Sequence, residues 1–367
     1  MKRHNIMNGK LRIMLCSSLL ILNSIIPFQN AHPEKKSSVI FAGVDTLVDK
    51  AIDLVYSKQY DDAIKMCEEV IQKYPDNPMG YLGEAAVYHF IMLNYRVSTF
   101  DSTYEHLTTL AIKHGERTIQ KHEDDAYAYF VLGAAYGFRG LNRIRKGQWF
   151  GAFKDGLKGV SNIKQAHSHD KTLYDTYFGL GLYYYWKSAK AKVLTFLRLM
   201  KDERNKGIEY LKIAIDKGRF SSQEAVFALI EIYYYEDRYE DAFNLCLSLK
   251  SRFVDDPTWN YLIAKTAEKL NRSEEAMNYF SKLLALLEES PFKANSFLAE
   301  CHHGIANACF ELAQYDRARQ ELDSAFDFSR RWDKAKEIEG PLLDIDKVLD
   351  RMKILDQELK KTSEHEN

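Results

Sequence analysis

The side chains here that could do chemistry are a few histidines and cysteines, two runs of cations and a large aromatic set. His167-Ser168-His169-Asp170 could supply metal ligands. A zinc-type site needs a further ligand at fixed spacing, and none accompanies this group, so it reads as a solvated turn between helical stretches. His302 and His303 open a helical stretch, and adjacent residues on a helix do not share a face, so they make no chelating pair. Gly147, Gly151 and Gly156 suggest a phosphate loop, but they lie in a stretch of helical period and read as close helix contacts. The chain has no HExxH, no nucleophile elbow and no phosphate-loop motif. Acidic pairs such as Asp61-Asp62 and Glu274-Glu275 begin helices, where they suit the helix dipole. These residues predict a non-enzyme that uses no cofactor and no metal.

Binding chemistry is better represented. Counted from the helix packing positions, Phe130, Phe138, Phe178, Tyr185, Phe227, Tyr234, Tyr261 and Phe310 are expected to face one groove. An aromatic-lined groove suits an extended peptide or an apolar helix, and it would also take an apolar small molecule or lipid. A terminal helix could instead fill it. The cations concentrate in two segments. Residues 139–152 hold Arg139, Arg143, Arg145 and Lys146, and residues 187–201 hold Lys187, Lys190, Lys192, Arg198 and Lys201, with no acid in either. Trp149, Phe150, Phe196 and several aliphatic residues are interleaved with them. Basic and apolar together is the composition of a membrane-surface contact or of a dock for an acidic partner. The plainer reading is that the apolar members pack helices while the cations are solvated.

These side chains need elements to position them, and the elements repeat. Small residues that let helices approach recur at Ala51, Ala85, Gly133, Gly181, Ile230, Ala264 and Ala306, at steps of 34, 48, 48, 49, 34 and 42. A second series reads Ala63, Ala111, Gly159, Gly207, Ala242, Ala276 and Ala318. Around them run offsets of three, four and seven, as in Ala276, Phe280 and Leu283, the spacing of one helix face. Such a period marks a solenoid of helical hairpins. The expected fold is all-α: about seven hairpins over residues 45–331, the central three lengthened. The tips of these three fall near 91–104, 139–152 and 187–200. A C-terminal capping helix follows over 332–362, with an apolar stripe of Leu342, Ile345, Leu349, Met352 and Leu355 or Leu359, and then a tail, 363–367.

At those residues the chain resembles the tetratricopeptide repeat family. Tyr74-Pro75-Asp76-Asn77-Pro78 supplies a junction signal, and Tyr60, Tyr239 and Tyr315 sit three residues before the small position, where that family places an aromatic. Ile230 and Val254 depart from the pattern. The resemblance implies a right-handed superhelix that binds a protein or peptide. The long central units are loosely similar to the eukaryotic tetratricopeptide family linked to outer membranes and inclusion-body clearance, at Tyr177-Phe178-Gly179-Leu180-Gly181 and Gly207-Ile208-Glu209-Tyr210-Leu211. This likeness implies a membrane-proximal role and transfers no site.

Residues 1–31 read as a signal peptide: Lys2, Arg3, Lys10 and Arg12, then the apolar stretch Ile13 to Phe28, then the small Ala31. An uncleaved anchor is the second choice. Residues 32–44 read as a linker. The implied address is exported, periplasmic or envelope-associated. The whole chain carries 51 basic and 52 acidic residues. Without the first 31 residues the balance is 47 to 52, which gives no reason to bind nucleic acid. Cys67, Cys246, Cys301 and Cys309 take interior positions and are expected to be buried thiols. The function expected from all this is an exported interaction scaffold.

Overall fold

The structure, a computed structural model, describes residues 38–190, 201–249, 254–342 and 345–365. Fifteen α-helices account for most of these residues, and the only β-pairing among them is an isolated bridge between Val97 and Glu337. In chain order the helices are α1 (Asp45–Tyr56), α2 (Tyr60–Lys73), α3 (Pro78–Tyr95), α4 (Asp101–Lys121), α5 (Ala126–Arg145), α6 (Trp149–His169), α7 (Thr176–Lys190) and α8 (Arg204–Lys217). There follow α9 (Ser222–Tyr235), α10 (Tyr239–Ser248), α11 (Pro257–Lys269), α12 (Ser273–Glu289), α13 (Asn295–Glu311), α14 (Tyr315–Arg330) and α15 (Ile345–His365). The first fourteen follow one another as seven consecutive pairs, and α1/α2, α5/α6, α7/α8, α11/α12 and α13/α14 pack closely as hairpins.

The small residues set this packing. Ala63, Ala85, Ala111, Ala242, Ala264, Ala306 and Ala318 are fully buried. In the α7/α8 hairpin, Gly181 and Gly207 face each other so closely that a Cβ on Gly207 would lie 2.7 Å from the Gly181 carbonyl oxygen. In five hairpins the residue two before the second helix takes the left-handed conformation that ends a helix sharply. These are Lys58, Gly147, Asp237, Asn271 and Ala313, with φ of 59°, 71°, 58°, 56° and 56°. Only one of the five is glycine.

The chain divides into two compact units. One holds the described residues up to Phe90 with Asp101–Ala228, and the other holds Ile91–Phe100 with the described residues from Leu229 on. In the first unit, residues 38–44 are packed against the helices, where a free linker was expected. The Ser38 hydroxyl and the Val39 amide donate to the Asp125 carboxylate at 2.9 Å, and Phe41 stacks on Phe220 at 5.8 Å. In the second unit, α15 packs on α13 and α14. Its buried stripe is Ile345, Val348, Met352, Leu355 and Leu359. Val348 takes the place expected for Leu349, and the helix runs past residue 362. The four described cysteines are buried free thiols. Residues 1–37 and 191–200, with Lys192, Arg198 and the signal segment, lie outside the described residues.

Candidate functional site

The expected groove does not form from its expected residues. Phe130, Phe138, Phe178, Tyr185, Phe227 and Tyr261 are buried. Phe130 stacks on Phe220, Phe138 packs against His89 and Tyr104, and Tyr261 meets the edge of Phe297. Tyr234 and Phe310 are half-buried, each set against the aromatic that opens the next helix: Tyr239 at 5.1 Å and Tyr315 at 5.7 Å. The error is one of helical phase. One position along an α-helix turns a side chain by about 100°. Phe178 and Tyr185 therefore point inward, while Tyr177 and Tyr184, one residue earlier, are only half-buried.

The basic ridge is likewise not one-signed in three dimensions, because carboxylates arrive from neighbouring helices. Asp155, buried on α6, accepts from Arg139 Nε and Nη2 at 2.9 and 2.8 Å and from Arg143 Nη1 at 2.7 Å. Arg145 pairs with Asp101 at 3.1 Å, Lys146 with Glu105 at 2.5 Å and Lys187 with Glu203 at 3.0 Å. Lys190 is exposed at the end of α7. The histidines of the 167–170 segment serve packing. His167 Nδ1 lies 3.0 Å from the Thr176 hydroxyl with its ring against Tyr177, and His169 stacks on Tyr129. Burial lowers the His167 pKa, so its ring stays neutral.

What the structure brings together instead is a tyrosine face on α6, α7 and α8. Tyr177 and Tyr184 lie seven residues apart on α7, so they share a face. Tyr210 of α8 meets both, with ring centroids at 4.9 and 5.6 Å. Tyr174 and Tyr183 extend the row, at 6.1 Å from Tyr177 and 5.4 Å from Tyr184. All five are half-buried. Lysines frame them. Lys206 Nζ sits 3.5 Å from the Tyr184 ring centroid, Lys164 Nζ 4.3 Å from that of Tyr183 and Lys217 Nζ 5.2 Å from that of Tyr174. Burial alone would lower the Lys206 pKa, but its contacts with Tyr184 and Tyr210 outweigh burial and raise it, so it stays charged. Rigid aromatic rings with polar tips and cation–π partners give contact area at low entropic cost, the composition of a protein-recognition surface. A sequence signal for this face is the seven-residue spacing Tyr129/Tyr136 that recurs 48 residues on as Tyr177/Tyr184.

Two other features bear on function. In the second unit a buried charge network joins α11, α13, α15 and the turn after α3. Glu300 receives Arg96 Nη1 at 2.5 Å and the Tyr261 hydroxyl at 3.0 Å. Lys265 pairs with Glu268, which also faces Arg351 of α15 at 3.5 Å. The Arg96 guanidinium lies 3.5 Å over the Phe297 ring, and burial pushes the nearby His303 pKa down to about 4. The charges pair with one another, and the Glu268–Arg351 contact ties α15 to α11. In the first unit an apolar cavity of about 40 Å³ lies among Val48, Ile52, Cys67, Leu82, Phe90 and Phe130.

No family model matches the chain, and no curated protein matches it. Solved structures do. The APC/C hetero-tetramer Cut9–Hcn1 matches at 14% identity with a TM-score of 0.50, covering 80% of this chain and 48% of that one. This chain thus spans about half the length of that match. The C-terminal part of a TPR repeat-containing protein from Cytophaga hutchinsonii matches at 17% identity and a TM-score of 0.40, covering 77% and 95%. The TPR2AB domain of yeast Sti1, in complex with pHSP90, matches at 14% identity and a TM-score of 0.26, covering 85% and 99%. With the helix pairs and small-residue contacts above, the first likeness gives the chain the tetratricopeptide-repeat fold. At this identity the likeness concerns fold alone.

Proposed function

We propose that this chain is a non-catalytic, exported interaction scaffold that holds a protein partner on the tyrosine face of α6, α7 and α8. The observation that carries the reading is the row Tyr174, Tyr177, Tyr183, Tyr184 and Tyr210, half-buried on a repeat scaffold with Lys164 over Tyr183 and Lys206 over Tyr184. A face pinned on three helices is presented with little ordering cost, and tyrosines of this kind dominate interface energetics. The test is cross-linked capture from the native envelope by wild-type protein and by the Tyr177→Ala/Tyr184→Ala/Tyr210→Ala variant. Each truncation should cost about 1–3 kcal/mol of binding if the residue is a hot spot. The partner recovered by wild type should therefore be lost from the variant while its circular dichroism spectrum is unchanged. Recovery of the same partner in the same yield by the folded variant would reject this face.

A further inference from the structure

The start of α6 carries a feature that the tyrosine face does not use. Phe150 is 84% exposed, Phe153 66%, Leu157 57% and Trp149 41%. Phe150, Phe153 and Leu157 follow offsets of three and four, so they project from one side of the helix. Among the described residues nothing covers that side. An added Cβ would meet nothing within 4 Å at Gly147, in the hairpin turn, or at Gly156 beside Leu157. A partner helix is received by a groove, whose walls shield the side chains in it. Rings exposed to this degree protrude. The charge around them is mixed, with Asp101, Glu105 and Glu116 answering Arg145, Lys146 and Lys158. Lys154 is exposed on α6 next to Phe153, and the one acid of the helix, Asp155, is buried and taken up by Arg139 and Arg143.

We infer that the start of α6 is a peripheral contact for an anionic bilayer, with Phe150, Phe153 and Leu157 entering the headgroup boundary and Lys154 facing lipid phosphate. Protruding aromatic and aliphatic side chains beside lysines are what an interfacial helix presents to lipid. The apolar residues carry the contact, whereas the ridge expected from the sequence rested on cations that the structure pairs. No described helix is long and apolar enough to cross a membrane, so this contact lies on the bilayer surface. It is independent of the tyrosine face.

The experiment is sedimentation of the full chain with vesicles of two parts phosphatidylcholine to one part phosphatidylglycerol, followed by Trp149 emission. Wild type should bind, its emission should shift to the blue, and a Trp149→Phe variant should lose that shift. The Phe150→Ser/Phe153→Ser/Leu157→Ser variant changes only exposed side chains and keeps the N-terminal segment. Its partitioning should fall by about tenfold or more. Lys154→Glu should weaken binding and flatten its salt dependence. Equal sedimentation of wild type and triple variant would overturn the inference, since the N-terminal segment would then be responsible. Absence of wild-type binding would overturn it too, and would leave an acidic protein partner as the occupant of this face.

Discussion

Replacing Gly207 with alanine should destabilise the protein, whereas the same substitution at Gly156 should stabilise it. Both glycines lie within helices, Gly156 in α6 and Gly207 in α8, so the chemical change is the same and the space differs. A Cβ at Gly207 would sit 2.7 Å from the Gly181 carbonyl oxygen, 2.7 Å from the Tyr185 amide nitrogen and 2.8 Å from Tyr185 Cβ, where ordinary contact begins at 3.4 Å. None of these atoms can swing away by a rotamer change, so α7 and α8 must part by about 0.7 Å, the difference between the two distances. Overpacking of this kind costs about 1–3 kcal/mol, and alanine returns about 0.5–1 kcal/mol of helix propensity. The difference runs from about 0 to about 2.5 kcal/mol, and three contacts under 3.0 Å place Gly207→Ala on the side of a loss. At Gly156 nothing lies within 4 Å, so only the propensity gain remains. In thermal and urea unfolding followed by far-ultraviolet circular dichroism, the midpoints should move in opposite directions, with melting temperatures several degrees apart. A shift of the same sign in both variants, or an unchanged midpoint for Gly207→Ala, would refute the view that backbone proximity sets the repeat.

Further expectations concern charge and turns. Asp155→Ala strips the shared carboxylate from Arg139 and Arg143 and should cost about 2–4 kcal/mol in urea unfolding, below the fully buried figure because both arginines reach solvent; Arg143→Ala should cost less, since Arg139 stays paired. Burial raises the Glu84 pKa from 4.5 to about 7. The folded state thus holds a proton that the unfolded chain releases, and stability falls as pH rises across that window. Glu84→Gln should remove this slope and stabilise the protein above pH 7 by about 1–3 kcal/mol. His303, held near 4 against an ordinary 6.5, slopes the other way, with stability lost as pH falls between those values, so single variants are needed to separate the two. Ala313→Gly relaxes a φ of +56° and should raise the unfolding midpoint by the equivalent of about 0.5–1 kcal/mol.

The fold was legible because small residues leave a periodic mark. Wherever two helices approach backbone to backbone, the sequence must place Gly or Ala, as at Gly133 with Gly159 and Gly181 with Gly207, and their spacing reports the repeat whatever surrounds them. Which residues face outward was harder. Tyr177 and Phe178 are equally aromatic, and hydrophobicity alone does not fix the phase of a helix whose neighbours cover most of it. The α15 stripe shows the same slip, with Val348 inward and Leu349 half-buried. The charge network around Glu300 was invisible, because Arg96 and Glu300 are 204 residues apart and no local pattern announces the pair.

Charge shows why a solenoid resists local reading. Residues 139–146 contain four cations and no acid, and counted alone they form a patch. The array lays α4 and α6 beside them, and Asp101, Glu105 and Asp155 supply the partners. A segment of one sign is thus cationic in the unfolded chain and largely neutral in the fold. The apolar residues just beyond, Phe150 and Phe153, show the converse. Their neighbours in sequence suggest a packed helix, yet nothing among the described residues comes to cover them. In a repeat array a side chain's surroundings come mostly from the hairpin before and the hairpin after. Sequence statistics taken within one hairpin therefore identify the elements, while the surface that meets a partner is defined by what adjacent hairpins leave uncovered.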